Sequence, residues 1–172
     1  MEANKSTDPR MKALKSCGNT ERVIGWREWV RLPDFSSSLI KAKIDTGART
    51  SAIHAEDIVI FKRKGKRKVR FRLYPVQHSR EKTVLVEADL LEKRTVRSSV
   101  GHETRRPVIV VRLSIGEYHF PIELTLVNRD IMGFRMLIGR QAIRKLFLID
   151  PGKSFLVGKG KKRKKQNLSK IK

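Results

Sequence analysis

Lys43–His54 reads KIDTGARTSAIH, and this stretch decides the fold. It ends an alternating run, Leu39–Asp45 (LIKAKID), in which Ile40, Ala42 and Ile44 share one face, as in a half-buried strand. Asp45 then projects from the end of a rigid strand. Gly47 has no side chain, so the chain can turn tightly there and a ligand can approach the backbone closely. Thr46 can anchor the loop through its hydroxyl. A catalytic carboxylate needs such a placement, a fixed support with an open face. The same three residues also suit a plain Asx turn leaving a strand.

A second segment narrows the choice. Arg135–Arg140 reads RMLIGR: an apolar strand through Leu137 and Ile138, then Gly139, then the start of a helix. Either segment alone is a common junction. The two together, in this order and about ninety residues apart, are more specific than either.

Outward from these segments the pattern is strand-rich. Asp57–Arg63 and Val69–Leu73 are expected to pair across a Lys64-Gly65-Lys66 turn. Thr83–Leu90 is a further strand. Val108–Ile115 and Tyr118–Val127 flank Gly116-Glu117 as a hairpin, and Pro121 within the second run predicts an edge or a bulge. Arg140–Leu146 is the one short helix. Phe147–Asp150 and Ser154–Val157 are expected to close the sheet around Pro151-Gly152. Short strands at hairpin spacing with one late helix predict a small all-β barrel over residues 21–158. Met1–Thr20 reads as a disordered leader and Lys159–Lys172 as a disordered basic tail.

Composition sets the class. The chain has 172 residues, 40 Lys plus Arg against 17 Asp plus Glu, and a formal charge of +23. No apolar run approaches the roughly 20 residues that span a bilayer, and no secretory h-region precedes Thr20; a cytoplasmic protein without membrane contact is expected. The single Cys17 rules out an internal disulfide and cysteine-cluster metal sites. The positive charge favours polyanions: nucleic acid, a ribosome, an acidic lipid surface or an acidic peptide. It is concentrated in Lys62–Lys68 (KRKGKRK) and in Lys159–Lys172, which holds eight basic residues and no acid. Each run reads either as a solvated hairpin tip or tail, or as an electrostatic landing surface for ribosome or RNA.

Asp45-Thr46-Gly47-Ala48 together with Leu137-Ile138-Gly139-Arg140 resembles the retropepsin-like aspartic peptidases. The resemblance is closer to one bacterial branch, the RimB type, also labelled ATP-dependent zinc protease. Its pattern recurs at Ile24–Glu28, Lys41–His54 and Asn128–Arg140, within roughly Val23–Val157. The resemblance implies a closed retropepsin-like acid-protease barrel whose Asp-Thr-Gly loop faces its copy across a two-fold axis. It makes Asp45 the catalytic carboxylate, has Thr46 hydrogen-bond across the axis, and lets Gly47 and Ala48 shape the loop. Leu137, Ile138, Gly139 and Arg140 would cross beneath and support that loop or meet substrate. A flap is expected near Ser98, Ser99, Val100, Gly101 and His102, where polar and glycine residues interrupt the strand pattern.

Chemistry independently requires a pair. Carboxylate-driven peptide hydrolysis uses one charged and one protonated acid, and this chain has a single Asp-Thr-Gly. A C2 homodimer with itself as partner follows. The branch is linked to trimming of glutamates from a small-subunit ribosomal protein, so an acidic peptide or protein is the implied substrate. The words ATP and zinc fit the residues poorly. Gly152-Lys153-Ser154 ends like a P-loop, but Phe147 occupies its first glycine position. His54, His78, His102 and His119 are isolated, without His-Glu-x-x-His spacing. Neither cofactor nor metal is therefore expected. His54 reads as a packed or surface histidine, and Asp130 as a turn cap. The alternative to an endopeptidase is a non-catalytic basic β-barrel module that binds ribosome or RNA.

Overall fold

The computed structural model describes residues 22–76, 81–97, 103–128 and 133–157. The expected leader, basic tail and flap residues Ser98–His102 lie outside the described residues, as do His78 and Asp130. Eleven strands and one helix follow in order among the described residues: β1 (Val23–Gly25), β2 (Arg27–Leu32), β3 (Ser36–Asp45), β4 (Ser51–Arg63), β5 (Lys66–Leu73), β6 (Val84–Asp89), β7 (Glu92–Arg97), β8 (Glu103–Ile115), β9 (Tyr118–Val127), β10 (Met136–Gly139), α1 (Arg140–Ile143) and β11 (Leu148–Asp150).

Six strands close a barrel in the order β10, β3, β2, β8, β9, β4 and back to β10. Alternation explains why. Ile40, Ala42 and Ile44 of β3 point inward and are buried, as are Val30 and Leu32 of β2 and Leu113 and Ile115 of β8. Their inner faces join Phe71, Phe120, Ile53, Leu124 and Ile138 in one core. Closure leaves those six strands without the open edge that would template aggregation. The fold is thus the small closed barrel of retropepsin type.

Strand β4 serves two neighbourhoods. Ser51–His54 lies beside β9 and β10 inside the barrel. Beyond a bulge between Glu56 and Val59, the strand runs out with β5 and β6 as a three-stranded extension. The β4–β5 turn is two residues, Lys64 and Gly65, both at positive φ (49° and 76°), the primed geometry that matches strand twist. Gly116 and Glu117 turn β8 into β9, with Ile115 opposite Tyr118. Pro121 sits where β9 has only β8 beside it, because β4 covers only Leu124–Val127; its missing N–H faces no ladder.

Two C-terminal expectations need correction. The helix ends at Ile143, not Leu146, because Arg144 leaves helical geometry and Lys145 takes a positive φ of 65°. Phe147–Asp150 does contribute a strand, β11, which pairs parallel with β1. Ser154–Val157 forms none. That segment is held by the carboxylate of fully buried Glu28, which accepts from the backbone N–H of Gly25 (2.8 Å), Leu156 (2.8 Å) and Val157 (3.4 Å). Phe155 stacks on Trp29 at 5.3 Å. Gly152-Lys153-Ser154 belongs to a turn in which Asp150 accepts from Gly152 N–H at 2.9 Å and pairs with Lys153 at 3.0 Å.

Candidate active site

Asp45 is the last residue of β3 and is half-buried, while Thr46 and Gly47 after it are exposed. Its Oδ1 accepts from the backbone N–H of Gly47 (3.1 Å) and Ala48 (3.2 Å). These bonds fix the carboxylate against its own loop, as in an Asx turn, and they also preset the side chain's direction. A Cβ at position 47 would lie 3.3 Å from that oxygen, so glycine leaves the carboxylate room.

The loop is held from beneath. Strand β10 runs parallel to β3 with Gly139 opposite Asp45 and Ile138 opposite Ile44. On its other side β10 pairs with β4, Leu137 opposite Ala52. Gly139 N–H donates to the buried Ser51 hydroxyl at 3.1 Å. The first N–H groups of a helix have no carbonyl of their own turn to serve. Here Arg140 N–H donates to Ala48 O (2.8 Å) and Gln141 N–H to Arg49 O (3.0 Å). The Arg140 guanidinium reaches back over the loop and donates to Thr46 O (2.7 Å) and, more weakly, to Gly47 O (3.4 Å). Asp45, Thr46, Gly47, Ala48, Gly139 and Arg140 are therefore brought together, with Leu137 and Ile138 forming the supporting strand.

Arg140 begins the helix and anchors the loop at once. Thr46 anchors the loop through its carbonyl oxygen; its hydroxyl makes no hydrogen bond among the described residues. Two contributors were not singled out from sequence. Ser51 shares the inward phase of Ile53 and Ala55 and is buried; a hydroxyl in that phase implies a buried donor to satisfy. Glu28 similarly keeps phase with Val30 and Leu32.

The two described histidines have partners other than this loop. His54 is buried near the Tyr74 ring (6.0 Å), with Nε2 3.4 Å from Glu56. His119 Nδ1 is 2.7 Å from the Ser114 hydroxyl. Among the described residues no group of three or more His, Cys, Asp or Glu is placed to hold a metal ion, and no helix is long and apolar enough to cross a membrane. The arrangement offers one oriented carboxylate on a rigid strand end, facing outward.

Comparison with known proteins bears on this geometry. Curated relatives include proteins named probable alpha-L-glutamate ligase from Shewanella halifaxensis (43% identical over 136 residues, 79% of this chain and 30% of that protein) and Desulfotalea psychrophila (39% over 138 residues, 80% and 30%). The chain thus spans about 30% of the length of these relatives. Among solved structures, a Legionella pneumophila protein described as of unknown function superposes with a TM-score of 0.67 at 25% identity, covering 80% of this chain and 99% of that one. A family model, RimB-like, described as retropepsin-like aspartic endopeptidase RimB, matches residues 23–160. With its closed barrel and its Asp-Thr-Gly loop seated on Leu-Ile-Gly, the chain belongs to the RimB-like family of retropepsin-like aspartic endopeptidases.

Proposed function

We propose that the chain is an aspartic endopeptidase that works as a two-fold homodimer and trims glutamate chains from a protein. The observation that carries this reading is the outward-facing Asp45 carboxylate on a strand end, its loop tied down by Gly139, Arg140 and Gln141. The rigid half-site has one acid, and the reaction needs two. Brought to about 3 Å, two Asp45 carboxyls cannot both ionise, so the pair holds one proton. The ionised member takes a proton from water as its oxygen attacks the scissile carbonyl carbon. The protonated member gives its proton to the carbonyl oxygen. The tetrahedral diol then collapses: the C–N bond breaks, the amine nitrogen leaves with a proton, and the dyad regains its single proton.

The substrate rests on two further supports. The chain is strongly cationic, which favours an acidic peptide. Its relatives are named glutamate ligases, so the same domain occurs there beside an activity that joins glutamate. The test is to incubate a protein bearing an oligoglutamate tail with wild-type chain and with Asp45→Asn, following mass and sedimentation. Stepwise loss of glutamate by a dimer, absent in Asp45→Asn, is expected. Hydrolysis by a strict monomer, or by Asp45→Asn, overturns the reading.

A second reading has its own observation. At the tip of the β4–β5 hairpin, Lys62, Lys64 and Arg67 are exposed and make no ion pair among the described residues. Other cations of the same hairpin are neutralised, Arg63 by Glu87 at 2.8 Å and Lys68 by Asp89 at 2.9 Å. The tip is a small landing surface for ribosomal RNA. Replacing Lys62, Lys64 and Arg67 by Gln should weaken RNA binding and flatten its salt dependence, while Asp45→Asn should leave it unchanged.

A further inference from the structure

The face of β3 that ends in Asp45 also carries Lys43 and Lys41, opposite in phase to the buried Ile40, Ala42 and Ile44. Lys43 is two residues from Asp45 on the same side of one strand, about 7 Å away along it. Strand register completes the row: Arg27 of β2 lies opposite Lys43 on one side, and Leu137 of β10 on the other. The next row back is Trp29 and Lys41.

Three cations therefore share the Asp45 face, and two of them are engaged. The Arg27 guanidinium lies 4.5 Å from the Trp26 ring centre and 5.1 Å from that of Phe155, and donates to Ser154 Oγ at 3.0 Å. Lys41 Nζ lies 5.1 Å from the Phe134 ring centre. Lys43 has neither an acid nor a ring as partner among the described residues. Several described acids elsewhere already have a cation, as in Asp34 with Arg112, Asp57 with Arg72 and Asp150 with Lys153. Lys43 as a whole is half-buried beside the apolar Leu137, so its stem is covered and its ammonium has no acid of the described residues to meet. A carboxylate brought by a ligand supplies that anion.

We infer that Lys43 is a specificity-determining residue that reads the carboxylate of a substrate residue flanking the scissile bond. The inference rests on the peptidase reading, because that reading places the bond at Asp45. Two-fold symmetry then sets one Lys43 on each side of the cut. The preferred bond joins two acidic residues, Glu-Glu before Glu-Gln or Gln-Glu, and Gln-Gln last. Lys43 rises from a paired strand and not from a loop, so its position is fixed before substrate arrives.

The test uses the full chain and matched peptides with Glu-Glu or Gln-Gln at the cut site. Cleavage is measured with wild type, Lys43→Met, Lys43→Gln and Lys43→Arg, with Lys93→Met as a control for general charge. Binding of the same peptides to the Asp45→Asn background is measured by fluorescence anisotropy. The expected Glu-Glu preference of wild type is about tenfold or more in kcat/KM. It should fall to near unity in the Met and Gln variants, largely survive in Lys43→Arg and be unchanged in Lys93→Met. Cleavage of Gln-Gln should fall less than cleavage of Glu-Glu in the Met and Gln variants and be unchanged in Lys93→Met. An undiminished Glu-Glu preference in folded Lys43→Met or Lys43→Gln overturns the inference. If no variant cleaves but Lys43 still governs Glu-Glu binding, the peptidase reading fails and the acidic-peptide site stands. If cleavage depends on Asp45 but not on Lys43, the peptidase stands and the site falls.

Discussion

Gly139 stands directly opposite Asp45 in the parallel register of β10 and β3, and a Cβ on Gly139 would fall 2.4 Å from the carbonyl carbon and oxygen of Thr50. The obstacle is backbone of the chain leaving the Asp45 loop, which has no rotamer with which to yield. Gly139→Ala should therefore push Thr50 outward and misplace the loop. The expected loss of stability is about 1–3 kcal/mol, as for other overpacked sites, measured by urea unfolding. Activity should fall further than stability, because the displaced segment adjoins the carboxylate.

Arg140 separates loop position from fold stability. Its guanidinium is exposed and holds two carbonyl oxygens that the helix does not use. Removing an exposed contact of this kind costs about 1 kcal/mol. Misplacing a catalytic group by a fraction of an ångström costs far more in rate. Arg140→Ala should lower kcat by roughly 10- to 100-fold while barely moving the melting temperature. Arg140→Lys should recover part of the rate, because both bonds leave one guanidinium nitrogen and an ammonium at that point serves the same two oxygens.

Glu28 ties β1 and the Leu156–Val157 segment to the start of β2. Its carboxylate receives three backbone N–H groups and is fully buried, so Glu28→Ala orphans all three donors at once. A loss of about 3 kcal/mol or more is expected. Glu28→Gln, which keeps one acceptor oxygen, should cost less. Amide hydrogen exchange should speed up first at Leu156 and Val157, before the core of β8 and β9 is affected.

The legible parts of the molecule are those written in local pattern. The inward triad Ile40, Ala42 and Ile44, the hairpin turn around Gly65 (read as Lys64-Gly65-Lys66, with Lys66 in fact opening β5), the turn at Gly116-Glu117 and the Gly139 junction all declare themselves within a few residues. What escaped notice depends on partners far along the chain. Glu28 meets Leu156 across 128 positions, and Gly139 meets Ser51 across 88. Ser154–Val157 has a strand's composition but finds a buried carboxylate instead of a ladder edge. The Thr46 carbonyl is held because Arg140, 94 residues on, folds back over it. The Lys43 row was hidden for the same reason, since only strand register shows that Arg27 and Leu137 flank it.

Asp34 supplies a pH-dependent tie between the β2–β3 turn and β8. The Arg112 backbone N–H donates to its Oδ2 at 2.9 Å and the Arg112 guanidinium to Oδ1 at 2.8 Å. The backbone hydrogen bond is the main cause that holds the Asp34 carboxyl below its ordinary 3.8, burial opposes it, and the Arg112 side chain adds to the lowering. A carboxyl depressed in the folded state stabilises above its unfolded pKa and loses that contribution as pH falls through the folded value. Asp34→Asn should therefore be less stable than wild type at pH 7, and the gap should close as the pH drops below 3.8 toward about 2. The pair is partly exposed, so the gap should stay under about 1 kcal/mol and shrink in high salt. Paired urea titrations across that range decide it: a gap that persists unchanged once wild-type Asp34 is protonated assigns the effect to turn geometry and not to charge.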